Sequence, residues 1–386
     1  MSTETGRLPE AGSVMAGMAL TDHHCHGITV EPLDRAGFEA LLTESEWPAP
    51  PGTSMFDSQL GFAVRRWCAP LLDLEPHAAP EEYLARRQEL GPDAVNRRLL
   101  GAAGIGTFLV DTGYRAPELT SPRELADLAG GVAREIIRLE HLAEQVAANG
   151  TTPPSFAADF AETLAGAARD AAGLKSVAAY RFGLGFDPSP PTAREVELAA
   201  ARWLGREADG SVPRLEDPVL LRHLLWTGVQ LGKPIQFHTG YGDADLDLAR
   251  CNPLLLTGWL RATRETGVPV MLLHCYPYHR EAGYLAQVFP HVYADVGLAV
   301  NHTGSRSAAV IAESLELTPF HKALFSTDTI GLPELYYLGA LLFRRGFGRA
   351  AAQWIDDGEW SPRDAERAAE LIGYRNAARV YGLELT

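Results

Sequence analysis

Lys233-Pro234-Ile235-Gln236-Phe237-His238-Thr239-Gly240 is a short apolar run that carries a histidine into a glycine-containing turn. An apolar strand that delivers a ligand-type side chain into a loop is the form expected where a parallel barrel meets its functional face. Taken alone, such a histidine also fits a hydrogen-bonded structural residue. Its company along the chain changes the reading, because the same form recurs. Upstream, Val14 to Leu20 runs into Thr21-Asp22-His23-His24-Cys25-His26-Gly27, and Leu174-Lys175-Ser176-Val177-Ala178-Ala179-Tyr180-Arg181 carries a lysine within an apolar run. Downstream, Val268-Pro269-Val270-Met271-Leu272-Leu273-His274 ends in a histidine and Ala323-Leu324-Phe325-Ser326-Thr327-Asp328 in an aspartate.

With Ile105 to Asp111, Ile136 to Glu140 and Val292 to Val296, these runs number about eight, separated by polar turns and helical segments. That alternation predicts an α/β fold, a (β/α)8 TIM-type barrel. Residues 14–386 are expected to form one domain, behind a flexible N-terminus over 1–13. Residues 32–100 are too long for a simple crossover and carry helix-start prolines at Pro80 and Pro92; they read as a helical insertion over the barrel mouth, a lid that excludes water. Arg65, Arg66 and Phe56-Asp57-Ser58 are its candidate contacts, and Ser361 to Leu385 reads as a helical tail closing the outside.

The 386 residues carry 34 basic and 49 acidic side chains, a formal charge of -15, which argues against a nucleic-acid or anionic-membrane partner. No run approaches the ~20 apolar residues of a membrane span, and the first residues lack a secretory pattern, so a cytoplasmic protein is expected. Cys25, Cys68, Cys251 and Cys275 have no CxxC spacing and read as reduced core thiols. Lysine occurs only at Lys175, Lys233 and Lys322, so a lysine inside an apolar run calls for a reason. A homo-oligomer is compatible with the sequence.

In a parallel barrel the C-terminal strand ends meet at one face, which gathers His24, His26, Lys175, His238, His274 and Asp328. On a strand His24 and His26 share one face, a pincer suited to a divalent metal, whereas Cys25 points away, as does Cys275 beside His274. Candidate substrate contacts are Arg138 and Glu140, two apart on the third strand, Arg181 beyond Lys175, Tyr114 in the turn after the second strand, and Asp243 after His238. A guanidinium can fork onto a carboxylate and a glutamate can take an ammonium. A structural ion pair is the alternative for Arg138 and Glu140.

The order of these residues resembles that of the amidohydrolase superfamily of metal-dependent barrels, from about Leu20 to the end of the chain. More narrowly, Gly173 to Arg181 and Phe237 to Asp243, with Asp245, Asp247 and Asn252-Pro253-Leu254-Leu255, resemble the branch fused to glutamine-synthetase-like domains in fungal developmental proteins, which includes γ-glutamyl amide hydrolases. The 386 residues themselves are not expected to include a glutamine-synthetase-like domain. The resemblance implies that His24, His26 and His238 hold a divalent metal, with Asp328 completing the shell and moving protons. Zn²⁺ suits the donors, with Mn²⁺, Fe²⁺ or Ni²⁺ open, in one ion or two. Lys175 has three readings: a carbamate bridging to a second metal also held by His274, an unmodified substrate contact beside a one-metal site with His274 as acid/base, or a lysine paired at the barrel wall. The implied reaction is hydrolysis of a C–N bond in a small amino-acid-like substrate, a γ-glutamyl amide, by metal-activated hydroxide. A one-metal decarboxylase or sugar-acid isomerase, and a regulatory partner of a glutamine-synthetase-type enzyme, are the rival expectations.

Overall fold

A computed structural model describes residues 15, 17–114, 118–205 and 212–384; the segment expected to be a flexible N-terminus, 1–13, lies outside them. Seven strands form one parallel sheet in chain order: β1 Leu20–Cys25, β2 Ile105–Asp111, β3 Val132–Arg138, β4 Gly173–Ser176, β5 Ile235–His238, β6 Val270–Leu273 and β7 Val292–Ala294. Helices lie between successive strands, so the sheet curls with its helices outside, a TIM-type fold. β1, β4, β5, β6 and β7 are buried throughout, which explains why they read as near-continuous apolar runs. A small apolar cluster of Leu109, Ile136, Met271, Leu273, Tyr293 and Leu324 fills the inner face, and Ala377 and Tyr381 of the last helix, Asn376–Tyr381, pack into it.

The expected eighth strand is not a regular ladder strand. Ala323 makes one isolated parallel bridge to Ala294, and the segment then hydrogen-bonds to β7 and to β1 and its extension: Leu324 N to Ala294 O at 3.0 Å, His23 N to Phe325 O at 3.1 Å and His26 N to Thr329 O at 2.8 Å. Asp22 reinforces this seam, accepting from Thr327 N at 3.0 Å and Thr327 Oγ1 at 2.5 Å. The ladder breaks because Asp328 adopts φ 49°, a left-handed conformation no strand contains.

Two further boundaries differ from the sequence reading. β3 ends at Arg138, and Glu140 sits in the first turn of the helix Leu139–Ala148. β4 ends at Ser176 and gives way to the short helix Ala178–Arg181, so Arg181 is not on the strand of Lys175. One contact accounts for both: buried Glu140 accepts from Ser176 Oγ at 2.6 Å and Val177 N at 3.1 Å, which diverts the backbone after β4.

Between β1 and β2 the chain forms several helices, including Pro80–Leu90 and Pro92–Ala103, each with proline in its first turn where a missing N–H costs nothing. Phe56, expected as a lid contact, is fully buried against Phe38, and Arg65 donates to Ala78 O and His77 O; neither faces the site. This segment is pinned to the helix Pro333–Asp356, which directly follows the Asp328 segment. Arg87 Nε meets Glu334 Oε1 at 2.7 Å, and Tyr83 donates to the same oxygen at 2.9 Å, with Glu334 fully buried. Removing one member of a buried pair strands the other, at about 3–5 kcal/mol. Glu334→Ala is therefore expected to lower the urea-unfolding free energy by about that amount, and Arg87→Met with Glu334→Leu to recover most of it; a loss near zero for the single variant would remove the anchoring role.

Candidate metal centre

His24 and His26 leave β1 with ring centroids 5.3 Å apart. His24 Nδ1 lies 2.9 Å from Gln236 Oε1, and His26 Nδ1 lies 2.9 Å from Asp111 O. Both partners are acceptors, so each Nδ1 carries its proton and each Nε2 presents a lone pair. Those lone pairs converge on one carboxylate oxygen: Asp328 Oδ1 is 3.0 Å from His24 Nε2 and 3.6 Å from His26 Nε2. One ligand atom from each of His24, His26 and Asp328 falls within a sphere of mutual distances below 4.8 Å. His274 Nδ1 stands 3.2 Å from Asp328 Oδ2, and Lys175 Nζ stands 3.0 Å from His24 Nε2. The rings of His238 and His274 are 4.5 Å apart.

Local backbone aims these groups. His274 adopts φ 68° immediately after β6, and with Asp328 at φ 49° two ligand-type side chains occupy a conformation uncommon outside glycine. Gly240, at φ 68°, makes the turn after β5; a Cβ there would lie 2.3 Å from Tyr276 O. Buried polar atoms normally find partners, yet His238 Nε2 and both ring nitrogens of His274 have no hydrogen-bond partner. Unpartnered nitrogens beside a carboxylate and two oriented imidazoles are what a divalent cation would satisfy, so the donor set fits one.

Burial lowers His24 to about 3, with Lys175 adding to it, and burial followed by His274 and Lys175 pushes His238 well below the ordinary imidazole value, so both stay neutral donors. Burial alone would raise Asp328, but its setting beside His274, His24 and His26 holds its carboxylate well below the usual range. Burial drives the Lys175 ammonium down to about 8, against the opposing pull of Asp111 and Asp328.

The centre forms the floor of a cavity of about 500 Å³ lined by His26, Lys175, His238, His274 and Asp328. Of the expected substrate contacts, Tyr114, Arg138, Arg181 and Asp243 line it and Glu140 does not. Glu140 is a structural acceptor for Ser176 and Val177, which corrects its assignment to substrate. Arg138 is gripped through Nε and Nη2 by Asp111 Oδ2, at 3.1 and 2.6 Å, and stacks near the Tyr114 ring. Arg181 stands 3.1 Å from Glu144. Of the segment between β1 and β2, residues 40, 41 and 43–46 reach the cavity rather than the expected positions, with Glu44 paired to His302 at 3.4 Å. The sequence reading also passed over Gln236 and Tyr180; Tyr180 packs 4.5 Å from the His238 ring. Gln236 did leave a signal, an uncharged polar residue inside an apolar strand, two positions before His238.

Residues 119–383, more than half of the chain, match the family described as Amidohydrolase. The chain belongs to the amidohydrolase family. It is an enzyme, a metal-dependent hydrolase. Protein fluG of Emericella nidulans is 34% identical over 281 residues, which cover 65% of this amidohydrolase and 32% of that protein, so the match spans about a third of that relative. A Lactobacillus casei structure provisionally described as a metal-dependent hydrolase is 27% identical with a TM-score of 0.83, covering 97% of this chain and 98% of its own. The uronate isomerase of Thermotoga maritima superimposes with a TM-score of 0.63 over 97% of this chain and 98% of its own, at 11% identity, and shows a common fold only. No described helix of this amidohydrolase is long and apolar enough to cross a membrane.

Proposed function

We propose that this amidohydrolase cleaves the C–N bond of a γ-glutamyl amide or a closely similar amino-acid-like amide. The observation that carries the reading is the joint lining of one cavity by the donor cluster His26, His238, His274 and Asp328 and by two guanidiniums, Arg138 and Arg181. His24, His26, His238 and Asp328 would hold the ion, with Zn²⁺ the best match to nitrogen-rich donors. Bound there, a divalent cation lowers the pKa of water and polarises the scissile carbonyl. Asp328 takes the proton from the attacking water and returns it to the departing amine, while His274, 3.2 Å away, shares the proton traffic. Lys175, lowered to about 8 by burial, suits reaction of its neutral amine with CO₂, and the resulting carbamate would balance a second ion beside His274.

Arg181 and Arg138 are assigned to the substrate carboxylate, and Asp243 to its ammonium. Each arginine is already held by a protein carboxylate, which fixes its fork in place before substrate arrives. A charge-assisted hydrogen bond is worth about 1.5–3 kcal/mol, or about 10- to 100-fold in affinity. Arg181→Ala is therefore expected to raise KM by about that factor with metal content unchanged; an unaltered KM would remove Arg181 from substrate binding. The reading as a whole is tested by incubating metal-loaded protein with γ-glutamyl amides, N-acyl amino acids, carboxylated aromatic compounds and uronates. Release of amine with glutamate is the expected result. Release of CO₂, or rearrangement with no fragment lost, would replace it with a decarboxylase or an isomerase.

A further inference from the structure

We infer that Gln236 and Tyr381 are positioning residues that fix the tautomer of His24 and thereby set the affinity of the metal centre. The chain of contacts is continuous and buried. Gln236 Nε2 donates to His23 O at 2.7 Å and to Tyr381 Oη at 2.8 Å. Gln236 Oε1 then faces His24 Nδ1 at 2.9 Å. Tyr381 Oη lies 3.1 Å from His23 Nδ1, and His23 Nε2 lies 2.9 Å from Asp295 Oδ2. Asp295 Oδ1 in turn accepts from His274 N at 3.1 Å, Gly297 N at 2.8 Å and Ser326 Oγ at 2.9 Å.

The direction of every proton in this chain follows from one group. His23 O is a backbone carbonyl and can only accept, so the atom 2.7 Å from it must be the amide nitrogen of Gln236. A flipped amide would set two oxygens against each other. The oxygen of Gln236 therefore faces His24, and His24 must donate from Nδ1, leaving Nε2 bare toward Asp328. Tyr381 Oη accepts from Gln236, so its own proton goes to His23 Nδ1, and His23 Nε2–H points at Asp295. The same accounting sets His26 through a backbone carbonyl, Asp111 O, which no substitution removes. Of the two imidazoles that face Asp328 from the end of β1, His24 is the one whose tautomer depends on a side chain.

The placement explains why these residues meet. Gln236 and His238 alternate on one face of β5, so Gln236 lies one layer below the cavity. Tyr381 closes the last helix and reaches that layer from the opposite end, within the inner-face cluster. A device of this kind is a familiar need of metal sites, since an imidazole free to choose its tautomer offers the wrong nitrogen part of the time.

This inference rests on the metal-centre reading, and the experiment separates the two. Metal affinity is measured by competition with a chelator for the wild type, Gln236→Met and Tyr381→Phe, with Zn²⁺ as the probe. Histidine ¹⁵N shifts of each metal-free protein are recorded alongside. The wild type is expected to bind Zn²⁺ and to show His24 as the Nδ1–H tautomer. Gln236→Met is expected to bind about 10- to 100-fold more weakly and to show mixed tautomers, with Tyr381→Phe losing less in the same direction. Metal-free melting reports any damage to folding; Tyr381→Phe, which removes one oxygen, keeps the test decisive if Gln236→Met does not fold. Folded variants with wild-type affinity and an unchanged His24 tautomer would overturn the assignment. Absence of Zn²⁺ binding by the wild type would instead overturn the metal centre itself.

Discussion

Asp328→Asn is expected to lower kcat by about 10²- to 10⁴-fold, the range associated with loss of a positioned general acid/base. The substitution is a clean probe for a backbone reason. Asp328 sits at φ 49°, and asparagine tolerates the left-handed region as aspartate does, so the segment between β7 and β1 should keep its path. The amide retains the oxygen that faces His24 and His26 but cannot take up a proton from water. His24, His26 and His238 remain to hold the ion, so the variant should purify with metal. Turnover near the wild-type rate would end the proton-transfer role of Asp328.

The second large effect concerns the ion. His26→Ala is expected to yield protein without stoichiometric metal and with activity at the level of chelator-treated wild type. His26 Nε2 faces Asp328 at 3.6 Å and its Nδ1 donates to Asp111 O, so alanine removes one donor and takes at most one hydrogen bond from that carbonyl. An unsatisfied buried acceptor costs about 1–3 kcal/mol, a fraction of the stability of an ordinary domain, so the fold should survive. Full metal content and activity in this variant would place the ion elsewhere.

The sequence made the site more legible than the elements around it. His24, His26, Lys175, His238, His274 and Asp328 could be grouped because they stand on five apolar runs, mostly at or near their ends, and a parallel sheet brings those ends together. What escaped was set by single long-range contacts. Glu140 read as a strand residue because its apolar run continues through it, yet the hydrogen bonds it accepts from Ser176 and Val177 turn one element into a helix and shorten another. The apolar run ending in Asp328 read as a strand, but the left-handed turn that aims Asp328 also breaks the ladder. Between β1 and β2, Phe56 read as a candidate lid contact and is core, because Phe38 and Tyr83 close over it from segments no local pattern links. Gln236 was visible as a polar residue in an apolar strand, but its partner Tyr381 lies 145 positions away.

The proposed chemistry requires a metal held between β1 and the Asp328 segment. The most direct test is anomalous diffraction from crystals of the protein as purified, recorded across the absorption edges of Zn, Mn, Fe and Ni. The predicted result is a peak about 2.0–2.2 Å from His24 Nε2, His26 Nε2 and an Asp328 oxygen, within reach of His238. A cavity floor with no anomalous signal in metal-replete, active protein, or a peak bound by other residues, would contradict it.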